Sequence, residues 1–108
     1  MSQFSETLDR LAATIAARKD ADPAASWTAR LLSEGPERCA RKFGEEAIET
    51  VIAAVSGDRD ATASESADVL YHLLVLLAST GVSLDDVAAK LQAREGKSGI
   101  EEKASRGV

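Results

Sequence analysis

Two short acidic patterns lie about fifteen residues apart in the middle of the chain. Glu45, Glu46 and Glu49 form the first pattern, and Glu65 and Asp68 form the second. Spacings of three and four residues bring side chains onto one face of a helix. If the two helices are antiparallel neighbours, Glu46, Glu49, Glu65 and Asp68 come together as an all-oxygen ligand set, which suits Mg²⁺ or Mn²⁺. The patterns therefore predict a carboxylate metal site.

The simpler interpretation is a solvated acidic face, or one that is neutralised by basic residues of neighbouring helices. Either pattern alone favours that simpler interpretation, because acidic helix faces are common. The second pattern, however, opens a segment that becomes apolar on nearly every face, through Val69, Leu73, Val75 and Leu76. A helix of this kind lies centrally in a core, and burying unpaired carboxylates there is unfavourable. A bound cation would remove that conflict.

Basic residues adjoin the first acidic pattern. Lys42 and Arg38 precede it by about one and two turns on the same helix side, and Arg41 is close by. They either hold phosphate oxygens, arginine by bidentate contacts, or form only i,i+4 ion pairs. The polar tail adds Lys97, Lys103 and Arg106, which either fold over a substrate or belong to a frayed terminus.

The chain has one histidine, one cysteine and one tryptophan, and these counts limit the kinds of functional site that it can form. One histidine and one cysteine exclude an internal disulfide, a cysteine-based zinc site and a multi-histidine site within one chain. His72 shares the Asp68 stripe and is expected to support a ligand or the core rather than bind metal. Trp27 is a candidate to pack on a nucleobase.

Hydrophobic periodicity and capping signals predict helices and no strand. The expected helices cover residues 5–19, 27–33, 36–56 and 62–79, followed by one that opens with a capping box of Ser83 and Asp86. Thr62 with Glu65 fits a capping box for the fourth helix, although Asp58 or Asp60 would start it earlier. The predicted fold class is all-α, with about five helices in a single domain over residues 1–108. Residues 1–22 form an N-terminal helix and linker, and residues 95–108 form a polar tail.

The composition of the chain indicates which binding partners and which cellular compartment to expect. With 108 residues and a net charge of −5, the chain is a poor candidate for nucleic-acid binding. The longest apolar stretch, residues 69–78, is about half of what a bilayer requires, and the N-terminus lacks a secretory pattern. We therefore expect a cytoplasmic protein without a membrane partner. The highly apolar composition of the predicted fourth helix also argues against a monomeric protein.

Residues 42–49 (Lys-Phe-Gly-Glu-Glu-Ala-Ile-Glu) and 65–72 (Glu-Ser-Ala-Asp-Val-Leu-Tyr-His) resemble the all-α nucleoside-triphosphate pyrophosphohydrolase superfamily. Residues 26–32, 70–77 and 98–106 are similar to its phosphoribosyl-ATP pyrophosphohydrolase family. The resemblance implies hydrolysis of phosphoribosyl-ATP to phosphoribosyl-AMP and pyrophosphate with Mg²⁺, the second step of histidine biosynthesis. It also implies a homodimer whose helices complete a four-helix-bundle-like packing, with active sites near the interface.

The residue types and this resemblance together indicate a role for each candidate site residue. Glu46, Glu49, Glu65 and Asp68 are the expected metal ligands, and Glu45 is either a further ligand or the base that orients water. The candidate catalytic residues are thus Glu45 and Glu46.

Three other functions compete with this interpretation. One is a house-cleaning pyrophosphohydrolase of the same superfamily that takes noncanonical nucleoside triphosphates. Another is a non-catalytic helical dimerisation module, whose function would survive glutamine at the acidic positions. A di-iron carboxylate protein is disfavoured, because that class uses Glu-x-x-His and Val69 stands three residues before His72.

Overall fold

The computed structural model describes residues 2–96, 99–100 and 103, and these residues confirm the all-α class. Five helices follow one another in the described residues, and no strand occurs among them. Their bounds are α1 Gln3–Ala17, α2 Trp27–Glu34, α3 Pro36–Val55, α4 Arg59–Thr80 and α5 Leu84–Gln92. The expected helices are therefore all present, with ends that differ by at most three residues.

Local sequence signals set most helix ends. Ser26 caps α2, and its side chain accepts a hydrogen bond from the Ala29 amide. Gly35 separates α2 from α3 with a φ of 94°, a conformation that side chains disfavour, and Pro36 then opens α3. The predicted capping box of Ser83 and Asp86 is confirmed at α5, where each side chain accepts from the other residue's amide.

The start of α4 corrects one prediction. Asp58 is the N-cap, and its carboxylate accepts from the Ala61 amide at 2.9 Å. Thr62 already lies inside the helix and donates its hydroxyl to the Asp58 carbonyl at 2.7 Å. The capping box of Thr62 and Glu65 was therefore wrong, and the alternative start at Asp58 is confirmed. Because Glu65 has no capping role, its side chain is available to face α3.

The fourth helix is the centre of the fold, as its composition predicts. Helices α1, α2 and α3 each pack against α4. The core joins Ile15 of α1, Leu31 of α2 and Cys39 of α3 to Leu74 and Val75 of α4. All these core residues lie in the second half of α4 or pack onto it. The first half, which carries Glu65 and Asp68, is therefore held mainly by α3.

Helices α3 and α4 form an antiparallel hairpin whose outer side is apolar. The α3 residues that face α4 include Cys39 and Ala53, both buried. The opposite side leaves four aliphatic residues 61–83% exposed: Ile48, Val51, Ile52 and Val55. We call these four residues the outer apolar face. Exposed apolar clusters of this kind are typical of binding surfaces.

None of the described helices is, by itself, long and apolar enough to cross a membrane. Helices α4 and α5 are long and apolar enough only when taken together, and the chain bends by 105° between them.

Candidate active site

The α3–α4 hairpin brings three glutamates into one cluster. Glu46 and Glu49 come from the middle of α3, and Glu65 comes from the first half of α4. One carboxylate oxygen from each lies within 4.8 Å of the other two. Two oxygens on opposite sides of a divalent cation are separated by roughly twice the metal–oxygen distance of about 2.0–2.6 Å. The spacing of the three carboxylates therefore fits one hard cation.

Asp68 and Glu45 flank this three-glutamate cluster. Asp68 follows Glu65 by one turn of α4, is exposed, and repels both Glu46 and Glu65 electrostatically. Glu45 lies beside Glu46 on α3 and makes an ion pair with Lys42 at 3.2 Å. Neither residue belongs to the group of oxygens within 4.8 Å. The structure thus separates a central trio from two flanking carboxylates, which the sequence does not distinguish.

The cluster is electrostatically unfavourable without a cation. Burial, contact with Glu49 and repulsion by Asp68 raise the pKa of Glu46, and Lys42 opposes the shift. Burial and the same two acidic neighbours also raise the pKa of Glu65. Both shifts mean that the folded chain disfavours the ionised carboxylates. A divalent cation would stabilise the form that these surroundings penalise.

One carboxylate oxygen of the cluster also lacks a stabilising partner. Glu65 Oε2 is buried and has no hydrogen-bond partner in the described part of the chain. Buried acceptors are almost always satisfied in native proteins. An orphaned carboxylate oxygen beside two further carboxylates is a suitable ligand for a cation, so Glu46, Glu49 and Glu65 are suited to bind a divalent metal ion.

The basic residues of α3 divide into two environments. The Lys42 ammonium lies 3.2 Å from Glu45 and 3.9 Å from Glu46, at the edge of the three-glutamate cluster. Arg38, one turn earlier, makes an ion pair with Glu34 at 3.7 Å, and Arg41 is exposed. The expected i,i+4 pairing of Lys42 with Glu46 is confirmed. Arg38 pairs instead with Glu34, four residues before it, which was not predicted from the sequence. Of the predicted basic residues that the structure describes, Lys42 is the one that makes an ion pair with a carboxylate of the cluster.

His72 is buried behind the cluster. It is 6% exposed, and its Nδ1 has no hydrogen-bond partner in the residues that the structure describes. Burial and the nearby Lys42 charge lower the pKa of His72, while Asp68 and Glu45 oppose the shift. The ring meets Tyr71 edge to face, with centroids 4.9 Å apart. His72 therefore borders both the site and the core, as its position on the Asp68 stripe predicts.

The aromatic residues tie α2 to α4. The hydroxyl groups of Thr28 and Tyr71 are hydrogen-bonded although 43 residues separate them in the chain. Tyr71 also packs against the core. Trp27, next to Thr28, is 46% exposed, and the Arg30 guanidinium stands 5.9 Å above its ring. Helical spacing gives no signal for the Thr28–Tyr71 bond, because it joins separate elements.

The tail residues are only partly described. Lys103 is exposed. Lys97 and Arg106, also candidates for phosphate contacts, lie outside the described residues. The folding of this tail over a substrate therefore stays a prediction.

Fold and cluster together define a class: an all-α protein with a candidate oxygen-ligand site for a divalent cation. Residues 8–95 match the family model for phosphoribosyl-ATP pyrophosphohydrolase. A phosphoribosyl-ATP pyrophosphatase from Jannaschia sp. (strain CCS1) is 66% identical over 99 residues, which cover 92% of this chain and 97% of the relative. Relatives of the same name from Paracoccus denitrificans and Dinoroseobacter shibae are each 67% identical over 99 residues, covering 92% of this chain and 92% and 97% of theirs. The chain belongs to the phosphoribosyl-ATP pyrophosphohydrolase family.

Proposed function

We propose that this chain hydrolyses phosphoribosyl-ATP to phosphoribosyl-AMP and pyrophosphate, a step of histidine biosynthesis, with Mg²⁺ as the preferred cation and Mn²⁺ as an alternative. Family membership over residues 8–95 supports the substrate and the reaction. The observation that carries the chemistry is the three-glutamate cluster with its orphaned, buried Glu65 oxygen. The all-oxygen donor set favours a hard cation over zinc or copper.

The bound cation would neutralise charge on the polyphosphate and lower the pKa of a water molecule. We assign the ligands to Glu46, Glu49 and Glu65, with Asp68 completing the set. Glu45 is the better candidate for the group that accepts the water proton, because it lies outside the trio and is half-exposed beside Lys42. Glu46 is one of the trio and also lies 3.9 Å from the Lys42 ammonium group, which pairs with Glu45, so Lys42 connects the ligand set to that proton acceptor.

The cations beside the cluster suit the substrate's phosphates. Lys42 is already placed at the carboxylate edge, and a phosphate oxygen would compete with Glu45 for its ammonium group. Arg38 and Arg41 would follow along α3, where Arg38 would have to leave Glu34. The tail residues Lys97, Lys103 and Arg106 are proposed to add contacts from the other side. Trp27 stays a candidate for base stacking, since part of its ring is accessible.

We further propose that the working unit is a homodimer built on the outer apolar face. The four residues of this face are 61–83% exposed in the single chain, and this is apolar surface that a partner could bury. Standard interfaces bury about 800 Å² per partner. Ile52 borders the exposed glutamates Glu45 and Glu49 on the helix surface, so a partner on this face would lie against the site. A cytoplasmic location remains a prediction.

The decisive experiment measures pyrophosphate release with Mg²⁺ from phosphoribosyl-ATP, ATP and a panel of deoxynucleoside triphosphates. Glu49→Gln is the site variant, and Glu95→Gln, at an exposed position after α5, is the matched control. We expect turnover of phosphoribosyl-ATP that is lost in Glu49→Gln and kept in Glu95→Gln.

Other outcomes would assign the chain differently. Preferred turnover of free triphosphates would retain the metal site and indicate nucleotide house-cleaning. Full activity of the Glu49→Gln variant would contradict the proposed metal site. Absence of any turnover, with the helical fold and self-association intact, would indicate a dimerisation module.

A further inference from the structure

Contacts at its two ends fix the direction in which α2 lies along α4. Near the start of α2, the hydroxyl of Thr28 is hydrogen-bonded to that of Tyr71. Near its end, Ser33 lines the same surface cavity as Ser79 of α4. Because Tyr71 precedes Ser79, α2 runs in the same direction as α4. The start of α2 therefore lies toward the half of α4 that carries Asp68.

This start of α2 is close enough to the carboxylates for one nucleotide to reach both. Tyr71 follows Asp68 by one helical turn and Glu65 by less than two turns. A rise of about 9 Å along α4 thus separates Glu65 from the level at which Thr28 is bound. A nucleotide can span that distance between its triphosphate and its base. Trp27, the first residue of α2, is therefore placed to meet the base of a substrate whose phosphates lie at the cluster.

Trp27 and Arg30 form an exposed pair at the start of α2. The Arg30 guanidinium stands 5.9 Å from the centre of the Trp27 ring, and Trp27 is 46% exposed. Arg38 and Lys42 each pair with a glutamate, whereas Arg30 makes no ion pair with any residue that the structure describes. Aromatic rings stack on nucleobases, and guanidinium groups bind phosphate through two parallel hydrogen bonds. The pair thus offers a planar surface with a phosphate-binding cation beside it.

The substrate of the proposed function has phosphate at both ends. Phosphoribosyl-ATP carries its triphosphate on one ribose and a single phosphate on a second ribose, which is attached to the adenine ring. ATP lacks that second group. Lys42 lies beside the carboxylates and suits the triphosphate. A cation beyond the base would therefore distinguish phosphoribosyl-ATP from ATP.

We propose that Arg30 binds the phosphate of the phosphoribosyl group while the Trp27 ring stacks on the adenine, so that Arg30 selects phosphoribosyl-ATP over ATP. This inference rests on the proposed function and adds the subsite for the far end of its substrate. The cation–π contact keeps the guanidinium beside the ring, and the bond between Thr28 and Tyr71 holds the turn that carries both residues. The metal ligands act at the triphosphate end. Loss of Arg30 should therefore weaken binding without slowing the chemical step.

The first test compares the KM for phosphoribosyl-ATP with the inhibition constant of ATP, both with Mg²⁺. In Arg30→Ala, the KM should rise about 10–100-fold, the range for losing a hydrogen bond to a charged group, with kcat unchanged. Arg30→Lys keeps the charge without the planar fork and should recover part of the loss. The inhibition constant of ATP should stay within about twofold of wild type, because ATP has no group for Arg30 to bind. Arg10→Ala, exposed on α1, is the matched control and should change neither constant.

A second measurement needs no turnover. Trp27 is the single tryptophan of the chain, so its fluorescence reports on a ligand at this subsite. In wild type, phosphoribosyl-AMP should change the emission of Trp27 at a concentration at least about tenfold lower than AMP does. In Arg30→Ala, the two nucleotides should act at similar concentrations.

Three results would overturn the inference. A KM within about twofold of wild type in Arg30→Ala would show that Arg30 only packs on Trp27. An equal rise in the KM and in the inhibition constant of ATP would show that Arg30 binds a group that both nucleotides share. Equal fluorescence midpoints for phosphoribosyl-AMP and AMP in wild type would show that the phosphoribosyl group is not recognised there. Failure of wild type to hydrolyse phosphoribosyl-ATP would instead contradict the proposed function, and the fluorescence titration would still decide whether Arg30 selects the phosphoribosyl group.

Discussion

At the scale of single residues, Glu65 is the position where the requirements of stability and of function conflict most clearly. Its Oε2 is buried without a partner, and burial together with Glu49 and Asp68 raises its pKa. The folded, metal-free chain therefore bears an ionised group that it would hold better protonated. Such a residue is costly in a purely structural protein and useful in a metal site.

We predict that Glu65→Gln stabilises the metal-free protein at pH 7 and removes its activity. A carboxyl whose folded-state pKa is raised favours the folded state only when protonated. The stability advantage of Glu65→Gln should therefore shrink as pH falls from 7 toward the ordinary glutamate value of 4.5. Urea unfolding between pH 4.5 and 7 measures this difference. Mg²⁺ should stabilise wild type but not Glu65→Gln, and an equal Mg²⁺ response in both would contradict the ligand assignment.

His72 is predicted to position the site rather than to hold the cation. Its buried ring lies within electrostatic reach of Asp68 and Lys42, and its Nδ1 lacks a partner in the described residues. His72→Phe should raise the Mg²⁺ concentration for half-maximal activity by about 10–100-fold, as losses behind metal ligands do. His72→Gln, which keeps a polar group, should recover part of that loss. A lowered melting temperature with an unchanged Mg²⁺ midpoint would instead assign His72 to the core alone.

At the scale of elements, α4 divides into two halves with different tasks. The second half contributes Leu74 and Val75 to the core and contacts residues of α1 and α2. The first half is rich in small and polar residues, and it carries Glu65 and Asp68 toward α3. Fewer apolar contacts hold the first half, so local opening is expected to be easier there.

Hydrogen exchange should reveal this division. We predict that Mg²⁺ slows amide exchange in the first half of α4, about residues 60–68, and in the middle of α3. Exchange around Val75 should change little, because the core already protects it. Glu65→Gln should abolish the Mg²⁺ effect without altering the protection around Val75. Uniform protection of the whole helix by Mg²⁺ would contradict the division into halves.

At the scale of the whole molecule, the single chain is incomplete on its outer apolar face. Val55 is 83% exposed and lies near the end of α3, more than one turn beyond Glu49. Val55→Lys places a cation at a helix C-terminus, which the helix dipole favours, but introduces a charge into the proposed interface. The substitution therefore separates the fold of one chain from its association.

We predict that Val55→Lys raises the dimer dissociation constant by at least about tenfold and retains the helix content. Specific activity should then fall on dilution at a higher protein concentration than in wild type. Lys90→Ala, exposed on α5, is the comparison variant and should behave as wild type. Activity that is independent of concentration in a demonstrably monomeric Val55→Lys would contradict a site completed by the partner.

The helices and their order were predictable from sequence, because capping and periodicity are local properties. Pro36 and the Ser83–Asp86 box act within a few residues, and the alternation that would mark strands is absent. The sequence did not identify the start of α4, because Asp58, Asp60 and Thr62 can all cap a helix. Only the hydrogen bond to the Ala61 amide identifies Asp58.

The sequence by itself determined the chemistry of the site, because residue types fix which cations and phosphates can bind. It indicated that Glu46, Glu49, Glu65 and Asp68 would share one site if α3 and α4 are antiparallel neighbours. Only the tertiary structure decided that the three glutamates meet within 4.8 Å while Asp68 and Glu45 flank them. It also decided that a Glu65 oxygen is buried without a partner. Distances across a helix hairpin depend on how two helices cross and rotate, and no spacing along one chain encodes that.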